Sequence, residues 1–341
     1  MSNKNGWGDG ASNNKIGWGQ GANNYIGWGS SELVSYEGLT NIVGAFTTEW
    51  TTTANSETIA LPYGAGTYSG TIYWGDGSTD INDGSVISHT YATAGTYTVI
   101  ITGDCIGWNF GQGGSPTNFT SVVNWGQLQL GTDNIGYNFA YCPNLDLSSV
   151  QGTLNLTGVT NLDGLFYDCT SLTTINNINS WDTSAITSMA EMFSGCTSFN
   201  QALSFNTSAV EFMNNMFFSA TNFNSALNLN TSAVMNMSSM FENCSVFNQP
   251  LTFDTSFVED MGRMFRDATA FNQPLSFDTS AVTNMSQMFR DATAFNQNIG
   301  TWDVANVQEF TDFMTGKTPA TFSTTNLNAI YNGWSTQSVQ P

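Results

Sequence analysis

Large apolar side chains recur at a constant interval of 24 residues through the second half of the chain. Each unit contains a Met-Phe pair and, six residues further on, a Phe-Asn pair, with polar residues between them. A fixed short period predicts a repeat architecture in which each unit buries its apolar face against its neighbours. We expect two series of phenylalanines to form the core of that repeat. They are Phe193, Phe217, Phe241, Phe265 and Phe289, and Phe199, Phe223, Phe247, Phe271 and Phe295.

One unit, PLSFDTSAVTNMSQMFRDATAFNQ, contains the elements of a single coil. The stretches LSFDTS and AVTNM indicate short extended segments, and MSQMFRDA indicates one or two helical turns. A period of 24 residues is too short for a pair of helices and is typical of one turn of a solenoid. Weaker copies centred on Phe110, Phe139 and Phe166 precede the regular units, and a degenerate copy ends near Met314. The pattern predicts about eight or nine coils over residues 104–315, with atypical units at both ends.

The repeat motif MFxxAxxFNQPLxFDTSxVTNM resembles that of the BspA-like leucine-rich-repeat surface proteins, which include bacterial adhesins and cell-surface lipoproteins. The resemblance implies a leucine-rich-repeat-type solenoid over residues 104–315. The segment FSTTNLNAIYNGWSTQ resembles the helix that often closes such arrays, so residues 316–341 are expected to form a helical cap. Asn206 and Asn230 replace the aspartate of the motif, which changes surface chemistry more than fold.

The segment before the repeats has a different pattern. Alternation in TYTVIIT predicts a half-buried strand, and a Gly-Asp-Gly sequence predicts a tight hairpin turn. The sequences WGDGS and HTYATAGTYTV together resemble PKD-type modules, small immunoglobulin-like β-sandwiches that act as spacers or binding modules. The resemblance implies a sandwich over residues 33–103, with Trp74 in its core and with His89, Tyr91 and Tyr97 on the following strands. The predicted fold class is mainly β with short helices, a β-sandwich followed by the solenoid.

Residues 1–32 are rich in Gly and Asn, but three Gly-Trp-Gly triplets recur within them. A plain tether has no use for tryptophan, although a disordered tail is the alternative. Glycine lets a backbone follow the surface of another subunit closely, and indoles bury a large apolar area. We therefore interpret the segment as an anchor, and its tandem resembles short repeats at the ends of phage virion proteins. The expected anchoring side chains are Trp7, Ile16, Trp18, Ile26 and Trp28.

The chain has 26 acidic and six basic residues, which gives a formal net charge of −20. Binding to nucleic acid or to an anionic membrane surface needs clustered Lys and Arg, so neither partner is expected. Only 9% of residues are charged and 13% are aromatic, so the chain is not an acidic disordered tail. No stretch approaches the length of a membrane span, and the first residues show no export signal. The missing signal favours a protein that leaves its cell by lysis.

Four cysteines share one position of the repeat, three residues after the first phenylalanine of the unit: Cys142, Cys169, Cys196 and Cys244. The equivalent residue is alanine in three other units. A position that accepts either residue is a small buried slot, so packed free thiols are the favoured interpretation. A disulfide between neighbouring coils is the alternative, because stacking brings equivalent positions close together. The spacing typical of a zinc site does not occur.

Asp254 and Asp278 lie one period apart, which suggests a comparison with the paired carboxylates of glycosidases. Both belong to a repeated turn motif in which Asn replaces Asp in other units, so a structural ladder is the favoured interpretation. The single histidine is expected to be structural, and Asp76, Asp80 and Asp83 lack the ligand spacing of a calcium loop. We expect no catalytic residue, no cofactor and no metal ion.

Three functions fit these patterns. The favoured one is a structural or adhesion protein of a tailed-phage virion, either a fibre or a decoration protein, anchored by residues 1–32. Its partners would be capsid, neck or tail proteins and a glycan or protein of the host surface, and it would form a homo-oligomer, commonly a trimer. The alternative is a bacterial cell-surface adhesin of the BspA-like type. The third is a solenoid enzyme that degrades polysaccharides.

Overall fold

The computed structural model describes residue 42 and residues 44–337. Within this part the chain is mainly β, as predicted, and none of its helices has the length and apolar character needed to cross a bilayer. The strands are β1 Phe46–Thr52, β2 Glu57–Ala60, β3 Thr71–Tyr73, β4 Thr79–Ile81, β5 Ser88–Tyr91, β6 Gly95–Ile101, β7 Cys105–Ile106, β8 Phe119–Asn124 and β9 Leu128–Gln129. The helices are two short 3-10 helices, Phe110–Gln112 and Ile178–Ser180, and the α-helix α1, Thr324–Trp334.

All these strands lie in residues 44–130, which we call the strand-rich region. Five of them form an antiparallel sheet in the order β4-β3-β6-β1-β8, with β1 and β6 paired along seven residues each. β2 and β5 pair separately. Both long strands are rich in Thr, Val, Ile and aromatic residues, which suit a pleated and half-buried surface. The β3–β4 hairpin closes through the predicted turn, where the Trp74 N–H donates to the Ser78 carbonyl over 3.2 Å.

Strand β8 connects the strand-rich region to the repeats. It pairs with β1, and single parallel bridges join Ser121 to Asp146 and Asn124 to Gln151 in the first repeat units. β8 falls within the range predicted for the solenoid, yet it belongs to the five-stranded sheet. One hydrophobic core runs through both regions. The predicted domain boundaries stay predictions.

Residues 134–316, which we call the repeat array, pair through single parallel bridges rather than through full strands. Equivalent bridges join Phe212 to Asn236 and Asn236 to Asp260, with 24 residues between partners. The Ser238 N–H donates to Oδ1 of Asn236 over 2.8 Å. Such an Asx turn redirects the chain, so the extended segments are shorter than the sequence predicts.

Residues 190–195 form a segment of consecutive turns, and we call it and its equivalents in the other units the turn ribbon. Alternate N–H groups of the ribbon donate to the next unit, as Phe193 does to the Met216 carbonyl over 2.9 Å. Glu191 has a φ of 59° and Gly195 a φ of 73°. A right-handed helix does not continue through left-handed residues. The predicted helical turns are therefore wrong, and the ribbon joins units instead of bonding only to itself.

The two phenylalanine series form two columns of nearly parallel rings, and all ten side chains are buried. Within one unit the ring centroids of Phe241 and Phe247 lie 4.2 Å apart. Between units, those of Phe241 and Phe265 lie 5.6 Å apart, with ring planes 8° from parallel. Offset parallel stacking is a favourable arrangement for aromatic quadrupoles. The inner rings of each column are thus stabilised by equivalent rings on both sides.

Asparagine and threonine side chains satisfy the backbone between units. The Asn272 N–H donates to Oδ1 of Asn248 over 2.9 Å, and equivalent bonds recur along this series. Oγ1 of Thr255 donates to the Asp278 carbonyl over 2.9 Å, again as one member of a series. Buried backbone groups need partners, which explains why Asn and Thr recur at these positions.

Aromatic side chains extend the first phenylalanine column beyond its regular units, through Phe139 and Phe166 at one end and Phe313 at the other. At the first end, Trp125 lies edge-on to Phe139, with centroids 5.4 Å apart. At the last end, Trp334 of α1 packs at 5.9 Å from Phe313. The hydroxyl of Ser323 accepts a backbone N–H from the first turn of α1, which is a typical helix cap. Among the described residues, the extended column therefore ends against tryptophan rings on both sides.

Candidate functional site

The five side chains predicted to anchor the chain lie outside the described residues, and their role stays a prediction. They are Trp7, Ile16, Trp18, Ile26 and Trp28. The ten core phenylalanines are buried in the repeat array and have no exposed surface on which a ligand could bind. Neither set therefore identifies a functional surface among the described residues.

Asp254 and Asp278 do not form an acid–base pair. Each accepts the hydroxyl of a serine two residues later, Ser256 and Ser280, over 2.7 Å. Hydrogen bonds from the serine hydroxyl and N–H lower the pKa of both carboxyls. A glycosidase needs one carboxyl whose pKa is raised, so that it holds a proton at neutral pH. Both groups instead cap turns as anions.

His89 lies beside Asp76 and Ser78 without forming a catalytic triad. Its Nε2 is 2.8 Å from Oδ2 of Asp76 and 3.4 Å from Oγ of Ser78. A triad needs the carboxylate and the hydroxyl on opposite ring nitrogens. The ring also stacks on Trp74, with centroids 4.8 Å apart. The histidine therefore packs against the buried indole and binds the turn.

The three aspartates near this turn do not converge on a metal site. Nε1 of Trp74 donates to Asp80 over 2.8 Å, the hydroxyl of Ser85 donates to Asp83, and Asp76 contacts the histidine. Among the described residues no group of His, Cys, Asp and Glu side chains is arranged to hold a metal ion.

All five cysteines are buried free thiols. Sγ of Cys169 donates to the Phe139 carbonyl over 3.0 Å, and Cys196 and Cys244 make equivalent bonds to earlier units. Burial raises the pKa of the Cys196 and Cys244 thiols. A buried, protonated thiol is a poor nucleophile, so these groups contribute packing rather than chemistry.

The first two turn ribbons carry a cluster of tyrosines on their outer surface. The ring of Tyr167 contacts that of Tyr137 at a centroid distance of 5.9 Å and that of Tyr141 at 5.4 Å. The Tyr137 hydroxyl donates to Oε2 of Glu191 over 2.8 Å. Burial, together with this carboxylate, raises the pKa of Tyr137. Tyr141 is 48% exposed, which is a large aromatic area to leave in water.

A depression of about 210 Å³ opens beside this cluster, next to the 3-10 helix Phe110–Gln112. Asn109 precedes that helix, is only 2% exposed, and donates through Nδ2 to the Gly136 carbonyl over 2.8 Å. Its Oδ1 accepts no hydrogen bond from the described residues. A buried acceptor without a donor is unfavourable, and it marks a point where a ligand could donate. The lining includes Asn109, Gly111, Gln112, Ile135, Tyr137 and Tyr141.

The basic residues of the described part lie at the other end of the array: Arg263, Arg266, Arg290 and Lys317. Nη1 of Arg266 is 3.3 Å from Oε1 of Glu242, and Arg290 also has carboxylate neighbours. Lys317 donates to the Phe295 carbonyl over 2.6 Å. Among the described residues, the charged side chains that act on the tyrosine cluster are carboxylates, namely those of Asp163, Asp168 and Glu191.

A second depression, of about 300 Å³, lies on another face of the array beside Met235 and Phe257. Phe257 is 65% exposed, although neighbouring units have Ala233 and Ala281 at the equivalent position. Glu211 supplies the one charged side chain of its lining. The lining of this depression contains fewer polar side chains than that of the depression beside the tyrosine cluster.

Neither the tyrosine cluster nor Asn109 is among the functional residues predicted from the sequence. The stretches YNFAYC and LFYDC do place tyrosines at turn-ribbon positions that mostly hold polar residues in later units, such as Asn215, Asn243 and Arg266. Such a change of residue type at an outward position is a usable signal. The predicted helical turn hid it, because a helix assigns these positions to the wrong faces.

The repeat array matches the model of a protein family. Two adjoining matches to the family model described as "Mycoplasma protein of unknown function, DUF285" cover residues 134–229 and 226–328. No curated protein and no solved structure matches the chain. The match is compatible with the BspA-like resemblance of the repeats and gives no support to the PKD-type or phage resemblances. Since the matched residues make up more than half of the sequence, the chain belongs to the DUF285 family.

Proposed function

We propose that the chain is a surface-exposed bacterial repeat protein that binds its partners through the outward residues of the repeat array. The observation that carries this proposal is the family match over residues 134–328, which falls on the array and agrees with the BspA-like resemblance. The buried columns and polar ladders are nearly the same in every unit, whereas turn-ribbon positions change from tyrosine to arginine along it. Such a scaffold suits binding, because the variable positions stand on a constant backbone.

The proposed architecture is a leucine-rich-repeat-type solenoid over residues 104–315 that follows a PKD-like β-sandwich. Parallel bridges at intervals of 24 residues and stacked phenylalanine columns support the solenoid. The five-stranded sheet and the separate β2–β5 pair support the sandwich. Trp125 and Trp334 pack against the outermost phenylalanines of the first column, Phe139 and Phe313, so we expect a homo-oligomer to assemble through other surfaces.

The proposed function is non-catalytic and needs no cofactor. The lowered pKa values of Asp254 and Asp278 leave that pair without a proton donor. His89 uses a single ring nitrogen for both of its polar neighbours. A polysaccharide-degrading enzyme would need an acid and a base or nucleophile in one cleft.

A role in a phage virion is the second candidate. The three Gly-Trp-Gly triplets around Trp7, Trp18 and Trp28 favour it, because they suit insertion into another subunit. The family match gives it no support. We therefore place it after the cell-surface function.

Immunogold labelling of intact cells of the source organism tests the proposal. An antibody against the repeat array should label the outside of wild-type cells and leave a deletion strain unlabelled, with a cytoplasmic protein as the control. Mass spectrometry of purified phage particles from the same culture tests the second candidate. Label that appears only after lysis, with no signal in particles, would contradict both functions.

A further inference from the structure

The depression beside the tyrosine cluster combines an exposed aromatic ring with amide groups and a bare backbone. We propose that it binds one neutral saccharide ring, which stacks on Tyr141 and donates a hydroxyl to Oδ1 of Asn109. This inference rests on the proposed function, since it names the ligand class for one surface of the binding protein. Each of its parts follows from the contacts described above.

Asn109 supplies the strongest argument for a polar ligand. It occupies the residue before a 3-10 helix, where Asn usually accepts a backbone N–H from the first turn, yet its side chain makes no such bond. The Gly111 N–H that could cap it donates instead to the Tyr137 carbonyl over 3.1 Å. The Asn109 side chain is held in place by the bond from Nδ2 to Gly136. A fixed acceptor beside an open depression suits the hydroxyl group of a ligand.

Gly111 leaves room at this point of the site. A Cβ atom at residue 111 would lie 3.0 Å from Oδ1 of Asn109 and 2.8 Å from Cβ of Tyr137. Any side chain at residue 111 would therefore crowd Oδ1 of Asn109 and the side chain of Tyr137. Exposed Gln112 adds a second amide at the rim, which both donates and accepts hydrogen bonds.

The tyrosine cluster fits the apolar face of a sugar ring better than it fits a quaternary ammonium group. The centroid distances of 5.4 and 5.9 Å mean that Tyr167 touches both neighbouring rings. Rings in mutual contact leave no space between them for a cation, so they do not form an aromatic cage. Tyr167 instead supports Tyr137 and Tyr141, which present their free surfaces to the depression.

Charge and size restrict the ligand further. The carboxylates near Tyr137 and the distance of the four basic residues along the chain disfavour an anionic sugar. The volume of about 210 Å³ is below the usual range for drug-sized ligands, so the site holds a single ring of a longer glycan or its terminal unit. A single ring offers few contacts, and we expect a dissociation constant in the millimolar range.

Saturation-transfer-difference NMR on the full chain tests the inference. The probes are the methyl glycosides of glucose, galactose, mannose and N-acetylglucosamine, with glucuronate and choline as charged probes. We expect at least one neutral glycoside to bind and both charged probes to give no signal. Binding of a charged probe alone, or of no probe, would overturn the inference.

Variants of Tyr141 place the ligand in this site. Tyr141 has a φ of 62°, a conformation that asparagine tolerates well, so Tyr141→Asn removes the ring without disturbing the turn. We expect this variant to weaken binding by about tenfold or more, as loss of a central aromatic anchor does. Tyr141→Phe keeps the ring and should bind as the wild type does. Tyr331→Ala, which removes a 66% exposed tyrosine from α1, is the matched control and should also bind normally.

Gln112→Ala provides a second readout, since it removes an exposed polar group at little risk to folding. We expect a smaller loss of affinity than for Tyr141→Asn. Equal binding by the wild type and Tyr141→Asn would place the saccharide elsewhere and overturn the inference. Such a result would leave surface labelling of cells unchanged, so it is distinguishable from failure of the proposed function.

Discussion

The strand-rich region and the repeat array both bury many aromatic rings, but they pack them in different ways. In the strand-rich region, Phe46 meets Trp108 at an interplanar angle of 88° and Trp50 meets Phe119 at 64°. In the array, Phe265 and Phe289 differ by only 3°. In the strand-rich part of the core, each of these contacts occurs once. In the array, one contact is repeated, so the packing that suits one unit also suits its neighbours.

This difference has consequences for stability and for experiment. The stability of stacked repeats is approximately a sum of unit and nearest-neighbour terms, so damage in one unit stays local. The strand-rich region shares contacts across its sheet, so damage there should spread. The array also contains its own controls, because equivalent positions in different units hold different residues.

Removal of one buried ring from each region gives the largest expected effect. Phe241→Ala and Phe119→Ala should each destabilise the chain by about 3–5 kcal/mol, since both leave a cavity the size of a buried phenylalanine. Hydrogen exchange should distinguish them. Phe241→Ala should reduce protection in adjacent repeat units alone, whereas Phe119→Ala should reduce it across the five-stranded sheet.

The control for both variants is Phe257→Ala, which removes an exposed ring and should change stability by less than about 0.5 kcal/mol. Uniform loss of protection in both buried variants would mean that the two regions unfold as one unit. In that case the contrast between local and shared packing would be wrong.

The polar ladder of the array gives the next effect. Oδ1 of Asn248 accepts the Asn272 N–H over 2.9 Å and Nε2 of Gln273 over 3.1 Å. Asn248→Ala leaves a partly buried N–H without a partner and should cost about 1–3 kcal/mol in urea unfolding. Asn248→Asp keeps the acceptor and should recover most of that loss.

Asn230→Asp is the matched control for the ladder. It introduces a residue that equivalent units already contain at this turn, as Asp254 shows, and its Oδ1 can still accept the Ser232 N–H. We expect a change within about 0.5 kcal/mol. A loss as large as that of Asn248→Ala would mean that general surface polarity, rather than the ladder bond, determines stability.

The sequence predicts the array better than it predicts the site, for a physical reason. A position that is buried in every unit, such as that of Phe193 and Phe217, gives a periodic pattern of apolar residues. This pattern can be recognised in the sequence without a structure. The mainly β class followed from that pattern and is confirmed. The conformation of the turn ribbon did not follow, because residues such as Glu191 and Arg263 adopt positive φ without being glycine.

The candidate site depends on contacts that occur once. Asn109 is separated by 27 residues from Gly136, the residue that holds its side chain. Tyr137 lies two residues before the phenylalanine of its unit and Tyr167 lies one residue after that of the next unit, so their rings make contact from non-equivalent positions. No local sequence pattern predicts side-chain contacts of this kind. The sequence alone could at most indicate that tyrosine is unusual at these turn-ribbon positions.

Cysteine-to-alanine substitutions compare the two regions through smaller changes in the free energy of unfolding. Cys105 lies in the strand-rich core, and Cys105→Ala should cost about 0.5–1.5 kcal/mol, as does removal of one buried methyl group. Cys244→Ala should cost less. Neighbouring units already hold Ala220 and Ala268 at the equivalent position. The distance between phenylalanine centroids of adjacent units is 5.6 Å both beside Cys244 and beside Ala268.

Urea unfolding of both variants measures this difference. A larger loss for Cys244→Ala would mean that the bond from its Sγ to the Phe217 carbonyl, 2.9 Å long, matters more than packing. That outcome would remove the argument that repeated positions are already adapted to small residues.

Lys317, at the last end of the array, gives the smallest expected effect and a distinct pH dependence. Burial lowers its pKa from 10.5 to about 8. Between these values the unfolded chain binds more protons than the folded one, so this group makes the free energy of unfolding rise with pH; below about pH 8 it contributes no slope. The raised pKa of buried thiols such as Cys105 and Cys244 has the opposite effect, because stability is lost as the pH rises above the pKa of the unfolded thiol.

The urea midpoint of the wild type must therefore be compared with that of Lys317→Gln, in which the thiols are unchanged. We expect the wild type to gain relative to the variant between about pH 8 and pH 10, by a small amount because the amine is only half-buried and partly screened by solvent. A constant difference between the two proteins would show that the amine titrates normally, and that the end of the array is more hydrated than its middle.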